Sequence, residues 1–316
     1  MLSILRFNPQ IIYSDCVAGS LTPALLSVIS GKALVVEVHV PVGSQDVALY
    51  RSKLRIRAGI ALWMERILLR RARLIFAAPG WSALIQQNYP KIQKIIPVPL
   101  GNNRTLFHPM DINQCRQELG LPSGVPIAVF VGNISPWQGL DTLITAASSV
   151  VSNHPQVLFL IVGDGSERKR LMQIVKELQL ERVFLFTGSV AYENVAKYIA
   201  AANVGLSIFS GNRGQKGGIS ALKTLNYLSC GRPVIVNNMD EMANLVSQHG
   251  AGIVVPADDG NALSQAFTWV FNQSDGGALL CQKATELGSL IPSCKDRITI
   301  IMQSIDDMLS VPEFKK

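Results

Sequence analysis

The chain has 316 residues, of which 48% are hydrophobic and 16% are charged, and this suits two well-buried α/β domains of ordinary size. No apolar run reaches the roughly 18 residues that a membrane-spanning helix needs. The stretch from Met1 to Phe7 is too short and too poorly patterned for a signal peptide.

The cysteines are odd in number, scattered along the chain, and without a CxxC pair. This pattern disfavours both a zinc site and a disulfide framework, so we expect reduced thiols and a cytoplasmic protein. The sequence also contains no Asp-x-Asp motif and no histidines at metal-ligand spacing. We therefore predict no metal and no other cofactor. The cysteines are Cys16, Cys115, Cys230, Cys281 and Cys294.

Short apolar runs alternate with amphipathic stretches along the whole chain. Such alternation is typical of parallel sheets covered by helices on both faces. We predict two doubly wound, Rossmann-like domains that face a cleft, with ligands at the carboxyl ends of the strands. The predicted strands are Ile11–Tyr13, Leu34–Val38, Leu74–Ala77, Ile95–Val98, Ile127–Val131, Val157–Val162, Val183–Phe186, Val204–Ile208, Val234–Val236 and Gly252–Val255.

The net charge of +7 comes from one stretch, because eight basic residues and one acid lie between Arg51 and Arg73. On a helix, most of these basic side chains share one arc, and apolar side chains such as Ile60 and Trp63 lie mostly opposite. Two interpretations stay open: the arc docks on an anionic membrane surface, or it is the solvated outer face of a domain helix. Nucleic acid is disfavoured, because no aromatic residues interleave with the basic ones. The residues of the arc are Arg51, Arg55, Arg66, Arg70 and Arg73.

The segment Pro99–Asp111 contains turn residues and little periodicity, so we predict the domain boundary there. We place one domain at residues 1–108 and the other at residues 109–296. The tail from Arg297 to Leu309 has a helical pattern.

The stretch from Arg213 to Val236 predicts a glycine-rich loop, a short helix and a buried strand. Ser220 is a suitable N-cap, and Gly231 is a suitable terminator of the helix. Free N–H groups and the helix dipole at such a junction attract an anion. Lys223 lies in the first turn, where a lysine opposes the dipole unless an anion is bound; the alternative is a surface lysine. The stretch therefore predicts a cradle for phosphate and sugar.

This stretch resembles the donor-site motif of family 4 glycosyltransferases, the retaining group with the GT-B fold. The two glutamates of the family motif correspond to Gly218 and Asn226, so the resemblance keeps the shape of the motif but not its charge. The matching residues are Tyr227, Leu228, Gly231, Pro233 and Val234 in the motif, and Pro99, Gly101, Phe107 and Pro109 in the segment between the domains.

The resemblance implies that the second domain binds the nucleotide-sugar donor. Asn133 and Gln138 stand where the family has an arginine and a lysine that clamp the diphosphate; amides hydrogen-bond phosphate but bring no charge. The alternative for this loop is a structural role, held by the packing of Trp137. Asn226 replaces a glutamate that, in the family, accepts hydrogen bonds from the ribose hydroxyls. The predicted donor-binding residues are Asn133, Gln138, Gly163, Asp164, Gly165, Gly188, Val190, Gly218, Ile219, Ser220, Leu222, Lys223 and Asn226.

His39 ends the predicted strand Leu34–Val38. In the family, a histidine at this place reaches the cleft near the transferred sugar, and the resemblance makes His39 the candidate catalytic residue. The alternative is a buried strand-end histidine that is hydrogen-bonded to backbone. The sequence predicts that Glu37 points to the opposite face of the strand from Val36 and Val38, in a structural role.

The first, acceptor-side domain looks short, because the opening strand and glycine-rich loop of the family have no counterpart before Met1. Three explanations stay open: a partner chain supplies the missing part, the gene start is misplaced, or the protein is degenerate. The resemblance also implies that the final helix, within residues 297–316, joins the first domain.

We therefore predict a hexosyltransferase-type enzyme of polysaccharide biosynthesis, which transfers a sugar from a nucleotide-sugar to a saccharide or lipid-linked acceptor with retention. The alternative is a degenerate, non-catalytic homologue or a partner-dependent subunit. A nicotinamide oxidoreductase lacks a convincing fingerprint, because Arg168 stands where a third glycine would be. We expect a cytoplasmic protein that is peripheral at the inner membrane face and binds no nucleic acid.

Overall fold

The computed structural model describes residues 9–16, 20–39, 55–92, 94–211, 222–240 and 242–311. The chain divides into two compact units. One unit contains Met1–Leu100 together with Lys295–Lys316, and the other contains Gly101–Cys294. The boundary drawn from the sequence after residue 108 falls inside the second unit. The reason is that the Asn102 N–H donates to Pro292 O at 2.9 Å, and Asn102 O accepts from the Cys294 N–H at 3.0 Å.

The first unit contains a four-stranded parallel sheet in the order β1-β2-β3-β4. Its strands are β1 (Ile11–Asp15), β2 (Ala33–Val38), β3 (Leu74–Ala77) and β4 (Ile95–Pro97). Its helices are α1 (Thr22–Ser30), α2 (Arg55–Arg71), α3 (Pro79–Asn88) and, from the end of the chain, α12 (Cys294–Ser310).

Both faces of this sheet are buried. On one face Leu34 and Val36 pack with Leu68 of α2 and Ile85 of α3. On the other face the core residues are Val35, Phe76 and Val98, with Ile301, Ile305 and Met308 of α12. This burial explains why β2 is an uninterrupted apolar run apart from Glu37, as is typical of a parallel strand covered on both sides.

The second unit contains a six-stranded parallel sheet in the order β10-β9-β8-β5-β6-β7. Its strands are β5 (Ile127–Val131), β6 (Leu158–Val162), β7 (Phe184–Gly188), β8 (Val204–Ser207), β9 (Val234–Asn237) and β10 (Gly252–Val255). Its helices are α4 (Ile112–Leu119), α5 (Leu140–Asn153), α6 (Arg168–Glu177), α7 (Tyr192–Ala200), α8 (Leu222–Ser229), α9 (Ala243–His249), α10 (Gly260–Phe271) and α11 (Ala278–Leu290).

All ten strands predicted from apolar runs are confirmed, within a few residues at their ends. The strand order of the second sheet is that of a doubly wound Rossmann fold, in which β5 starts at the centre and the chain reverses direction at β8. The predicted helix terminator Gly231 is also confirmed, because it has a left-handed φ of 69° just after α8 ends. Among the described residues, no helix is both long and apolar enough to cross a bilayer.

The apolar side chains that were predicted to lie mostly opposite the basic arc of α2 differ in burial. Ile60 and Trp63 are 51% and 58% exposed, whereas Leu68 and its neighbour Leu69 are almost fully buried. The polar residue Glu65 is also buried, and it accepts a hydrogen bond from the Tyr89 hydroxyl at 2.9 Å. The Glu65 side chain of α2, and not that of Trp63, therefore faces the interior.

Tyr227 of α8 joins the helix to the two central strands of the second sheet. Its fully buried hydroxyl accepts a hydrogen bond from Val131 N–H of β5 at 2.9 Å and donates to Leu206 O of β8 at 3.2 Å. A side chain at Gly205 would overlap the ring of Tyr227. Burial raises the pKa of Tyr227 well above its ordinary value, so the hydroxyl stays protonated and able to donate.

We predict that Tyr227→Phe lowers the free energy of unfolding by about 1–3 kcal/mol, because a buried N–H and a buried carbonyl lose their partner. Urea denaturation followed by circular dichroism measures the change. Tyr192→Phe is the matched control, because Tyr192 of α7 is 57% exposed and keeps its ring in that variant. Equal midpoints for both variants would contradict the role assigned to the Tyr227 hydroxyl.

Candidate functional site

The topological switch point of the second sheet lies between β5 and β8. From β5 the chain continues to β6 and β7 on one side, and from β8 it continues to β9 and β10 on the other. Doubly wound proteins bind ligands at the carboxyl ends of the strands beside such a switch point. The loops after these two strands are in contact here, because the Ser210 N–H donates to Trp137 O at 3.1 Å. Of the predicted donor-binding residues in the described part of the chain, Asn133 and Gln138 follow β5, and Leu222 and Lys223 begin α8.

Lys223, in the first turn of α8, lies at this switch point. Its amine donates to the side-chain oxygen of Gln138, which follows β5. The same amine lies 4.6 Å from the ring centroid of Phe130 and 4.4 Å from that of Phe209. Two aromatic faces and an amide oxygen therefore hold one cation at the carboxyl ends of β5 and β8. The structure thus brings together Lys223 and Gln138, two of the predicted donor-binding residues.

Backbone packs against backbone at the ends of β5 and β6, because three glycines occupy the contact. Gly163 has a φ of 133°, and a side chain there would collide with Gly132 O. A side chain at Gly165 would collide with Ile134 O and the side chain of Asn133. The two loops are joined by the Ile134 N–H, which donates to Asp164 O at 2.8 Å. Glycine at 163 and 165 is thus required by the close approach of two chain segments.

The Gly-Asp-Gly turn also reaches the end of β7. The Gly163 N–H donates to Gly188 O at 3.0 Å, and Gly188 has a left-handed φ of 72°. Arg168, at the start of α6, lies 3.9 Å from the Asp164 carboxylate, and its Nε is buried without an acceptor among the described residues. The predicted residues Asn133, Gly163, Asp164, Gly165 and Gly188 therefore form one continuous edge, and Arg168 adds a positive charge to it.

Other predicted donor-binding residues are less defined by their surroundings. Asn226 is half-buried on α8, Leu222 is 47% exposed at the start of that helix, and Val190 is half-buried after β7. Gly218, Ile219 and Ser220 lie outside the described residues, and so does the proposed N-cap contact of Ser220.

Sequence analysis did not identify the buried carboxylate of Asp240. It accepts hydrogen bonds from Ser207 Oγ at 2.8 Å and Thr224 Oγ1 at 2.6 Å, and its other oxygen accepts from the Met242 N–H at 2.9 Å. This carboxylate joins β8, α8 and the segment after β9, and so it helps to fix α8 under the switch point. The signal available in the sequence was the position of Asp240 just after the predicted strand Val234–Val236.

In the first unit, His39 lies at the carboxyl end of β2 and is exposed, which excludes the alternative of a buried strand-end histidine. Its Nε2 is 3.4 Å from Asp15 Oδ1 and 3.7 Å from Glu37 Oε1. Glu37 is buried, forms an ion pair with Arg297 and accepts from the Tyr13 hydroxyl. Burial and the contact with Glu37 raise the pKa of Tyr13.

Asp15, Glu37 and His39 bring possible metal-ligand atoms within 4.8 Å of one another. However, both oxygens of Glu37 already take part in contacts, one with Arg297 and one with Tyr13. A cation at this cluster would have to displace a guanidinium from a buried carboxylate, which is costly. The prediction that the protein needs no metal stays a prediction.

The basic arc of α2 is only partly as predicted. Arg66 and Arg70 are exposed on the helix. Arg73 is not on the helix, because α2 ends at Arg71 and the Arg73 N–H donates to Leu34 O of β2 at 2.7 Å as the chain enters β3. Arg51 and the side chain of Arg55 lie outside the described part of the chain.

Comparison with known proteins identifies the family. The model of the family described as Glycosyl transferases group 1 matches residues 111–286, which is more than half of the chain and lies within the second unit. A curated relative, 2-deoxystreptamine N-acetyl-D-glucosaminyltransferase from Streptomyces fradiae, is 26% identical over 218 residues, which cover 67% of this chain and 50% of the relative. The chain thus spans about half the length of the curated relatives it matches.

Solved structures give the fold. Sucrose-phosphate synthase from Thermosynechococcus elongatus has a TM-score of 0.79 at 21% identity, covering 98% of this chain and 76% of the other. Anabaena Alr3699/HepE in complex with UDP-glucose has a TM-score of 0.74 at 20% identity, covering 96% of this chain and 79% of the other. These likenesses and the two parallel sheets confirm the predicted GT-B fold. The chain therefore belongs to the glycosyl transferases group 1 family.

Proposed function

We propose that the protein is a retaining family 4 glycosyltransferase that takes a sugar from a nucleotide-sugar and transfers it to a saccharide or lipid-linked acceptor. One observation carries the proposal: the Lys223 amine lies at the switch point between β5 and β8, and its side chain lies against Gly132, which follows β5. A cation at the carboxyl edge of a Rossmann-like sheet suits a diphosphate. The complex of Anabaena Alr3699/HepE with UDP-glucose supports the same class of donor.

The proposed donor contacts divide by chemistry. Lys223 supplies the positive charge for the diphosphate, and Arg168 adds a second charge near the Gly-Asp-Gly turn. Asn133 and Gln138 offer amide hydrogen bonds to the same phosphates. Asn226, three residues after Lys223 on the same helix, faces the ribose hydroxyls in this proposal.

In the transfer step, the bond between the anomeric carbon and the diphosphate oxygen breaks and a bond to the acceptor oxygen forms on the same face of the sugar. The leaving diphosphate takes the proton of the acceptor hydroxyl, so a separate general base is not required. From the resemblance we propose that His39 of the first unit contacts the transferred sugar, and Asp15 and Glu37 lie beside its Nε2 and orient the ring.

The main alternative is a non-catalytic homologue or a subunit that depends on a partner chain. The substitutions at Asn133, Gln138, Gly218 and Asn226 favour it, because each places a neutral residue where the family carries a charge. The chain also spans only about half of its curated relatives, so the acceptor and any partner chain are part of the proposal.

The proposal predicts that UDP or GDP binds the chain and that Lys223→Gln weakens this binding about 10- to 100-fold, as expected for loss of a charge-assisted hydrogen bond. Isothermal titration calorimetry measures both. Lys169→Gln on α6 is the control, because Lys169 is exposed in the same unit. Release of nucleoside diphosphate from a panel of nucleotide-sugars then tests turnover: binding without turnover assigns the non-catalytic alternative, and no nucleotide binding overturns both.

We predict that Asn226→Glu raises the affinity for the same nucleoside diphosphate at least severalfold. The reason is that a carboxylate accepts hydrogen bonds from two ribose hydroxyls better than an amide oxygen does. Calorimetry of this variant is compared with that of Asn226→Gln, which keeps a neutral amide. If the affinity of Asn226→Glu for the nucleoside diphosphate does not exceed that of the original chain and that of Asn226→Gln, the side chain at 226 does not face the ribose.

We also propose that the first unit docks on an anionic membrane surface through α1 and α2. These two helices pack against each other and expose Leu25, Val28 and Ile29 on α1 and Ile60 and Trp63 on α2. The exposed Arg66 and Arg70 lie on α2 as well. Apolar side chains that enter the interface, next to arginines that meet anionic lipid, are the chemistry of a peripheral membrane helix.

The docking proposal predicts that Arg66→Glu with Arg70→Glu weakens binding to phosphatidylglycerol vesicles at least about tenfold, at roughly 1 kcal/mol for each basic residue near the surface. Vesicle co-sedimentation measures it. The control Lys169→Glu with Lys176→Glu makes the same change of charge on α6 of the second unit. Equal loss in both double variants would show that only net charge matters and would contradict a docking face on α2.

A further inference from the structure

A cavity lies within the second unit, at the opposite edge of its sheet from Lys223. It has a volume of about 450 Å³ and is lined by Pro126, Asn203 and Pro233, each of which directly precedes a strand. The residues around Lys223 lie at the carboxyl ends of β5 and β8, whereas this cavity lies at their amino ends. Strands of four or five residues separate the two places by roughly 15 Å.

Two arginines line this cavity, and both are more than nine-tenths buried. Arg116 of α4 is 4% exposed, and Arg232, in the segment between α8 and β9, is 9% exposed. Neither forms an ion pair with any residue that the structure describes. Burial, and to a lesser extent the charge of Arg232, lower the pKa of Arg116. Two positive charges thus lie close together in a poorly solvated place, which is unfavourable without an anion.

The hydrogen bonds of the two guanidinium groups are incomplete. Arg116 donates to Ala201 O and to the Asn203 side chain, each at 2.8 Å, and Arg232 donates to Met110 O at 3.0 Å. These three acceptors are neutral, and Arg232 also contacts the side chain of Cys281. Arg232 Nε is buried and has no acceptor among the described residues. A buried guanidinium normally uses its donors, so an absent acceptor is a reason to expect a ligand.

The rest of the lining is suited to a small organic group. Val270 and Phe271 of α10 and Leu280 of α11 provide apolar surface, and the volume falls in the usual range for small-molecule sites. Among the residues that the structure describes, no carboxylate lines the cavity. The nearby Asp275 uses its two side-chain oxygens to accept from the Gly277 and Leu279 N–H groups at 2.9 and 2.7 Å.

We propose that this cavity is a second ligand site, which binds a small organic phosphate between Arg116 and Arg232 and holds its organic part against Val270, Phe271 and Leu280. Two guanidinium groups match the charge of a phosphate dianion and can each donate two N–H groups to its oxygens. This site is separate from the donor site, and the proposal does not depend on the transferase activity.

Phenyl phosphate is the probe, with inorganic phosphate and phenol as its charged and apolar parts. We expect calorimetry to show that phenyl phosphate binds more tightly than either part, and that Arg232→Gln weakens its binding about tenfold or more. Arg182→Gln, which removes an exposed arginine that does not line the cavity, leaves it unchanged. Lys223→Gln also leaves it unchanged. If Lys223→Gln abolishes binding and Arg232→Gln does not, phenyl phosphate occupies the donor site and the proposal is wrong.

Two further measurements do not depend on the folding of an arginine variant. Ala278→Trp places a large side chain at the exposed rim of the cavity without changing its charge, and we expect it to abolish phenyl phosphate binding. In the unchanged chain, phenyl phosphate should slow alkylation of Cys281, which lines the cavity, but not of the exposed Cys294, as read by peptide mass spectrometry. Unaltered binding in Ala278→Trp, or equal alkylation of Cys281 with and without the probe, overturns the proposal.

Discussion

The geometry of the switch point in the second sheet depends on one buried hydroxyl, that of Tyr227. This hydroxyl accepts a hydrogen bond from the Val131 N–H on β5 and donates one to the Leu206 carbonyl on β8. The chain reverses its winding direction between these two strands. β5 and β8 pair directly at Ala128–Val204 and Val129–Gly205, and the Tyr227 hydroxyl adds a side-chain link from α8 to both strands, which positions Lys223 in the first turn of that helix. Gly205 leaves the room that the ring needs, so the tyrosine and the glycine act as one structural unit.

The structure separates what holds the site from what the site does chemically. Glycines at 132, 163 and 165 allow two loops to touch backbone to backbone, and the buried carboxylate of Asp240 ties α8 to β8. These groups are separate from Asn133, Gln138 and Asn226, the residues to which the proposal assigns the donor contacts. In that proposal, the three neutral side chains change the electrostatics of the site, while the loops and α8 keep the arrangement described above.

Strand positions could be predicted from the sequence because parallel strands covered on both faces are short, continuous apolar runs, as in β2 and β6. The resemblance assigned Lys223 and Gln138 to one site, but their hydrogen bond and the enclosing rings of Phe130 and Phe209 could not be predicted, since these contacts depend on strand order. The inner face of α2 could not be predicted for a similar reason. A helix with apolar residues on several sides has no unique inner face until a specific contact, here Glu65 with Tyr89, selects one.

The pairing of Arg297 with Glu37 has a consequence for the order in which the protein folds. Glu37 lies on an early strand, while Arg297 and the core residues Ile301, Ile305 and Met308 belong to a helix that leaves the ribosome only after the whole second unit. The second unit is continuous in sequence and can fold as it is synthesised, at a rate of about 5–20 residues per second. Until α12 has been synthesised, Val35 and Phe76 lack the Ile301, Ile305 and Met308 side chains that complete their core, so the first sheet is completed after the second unit.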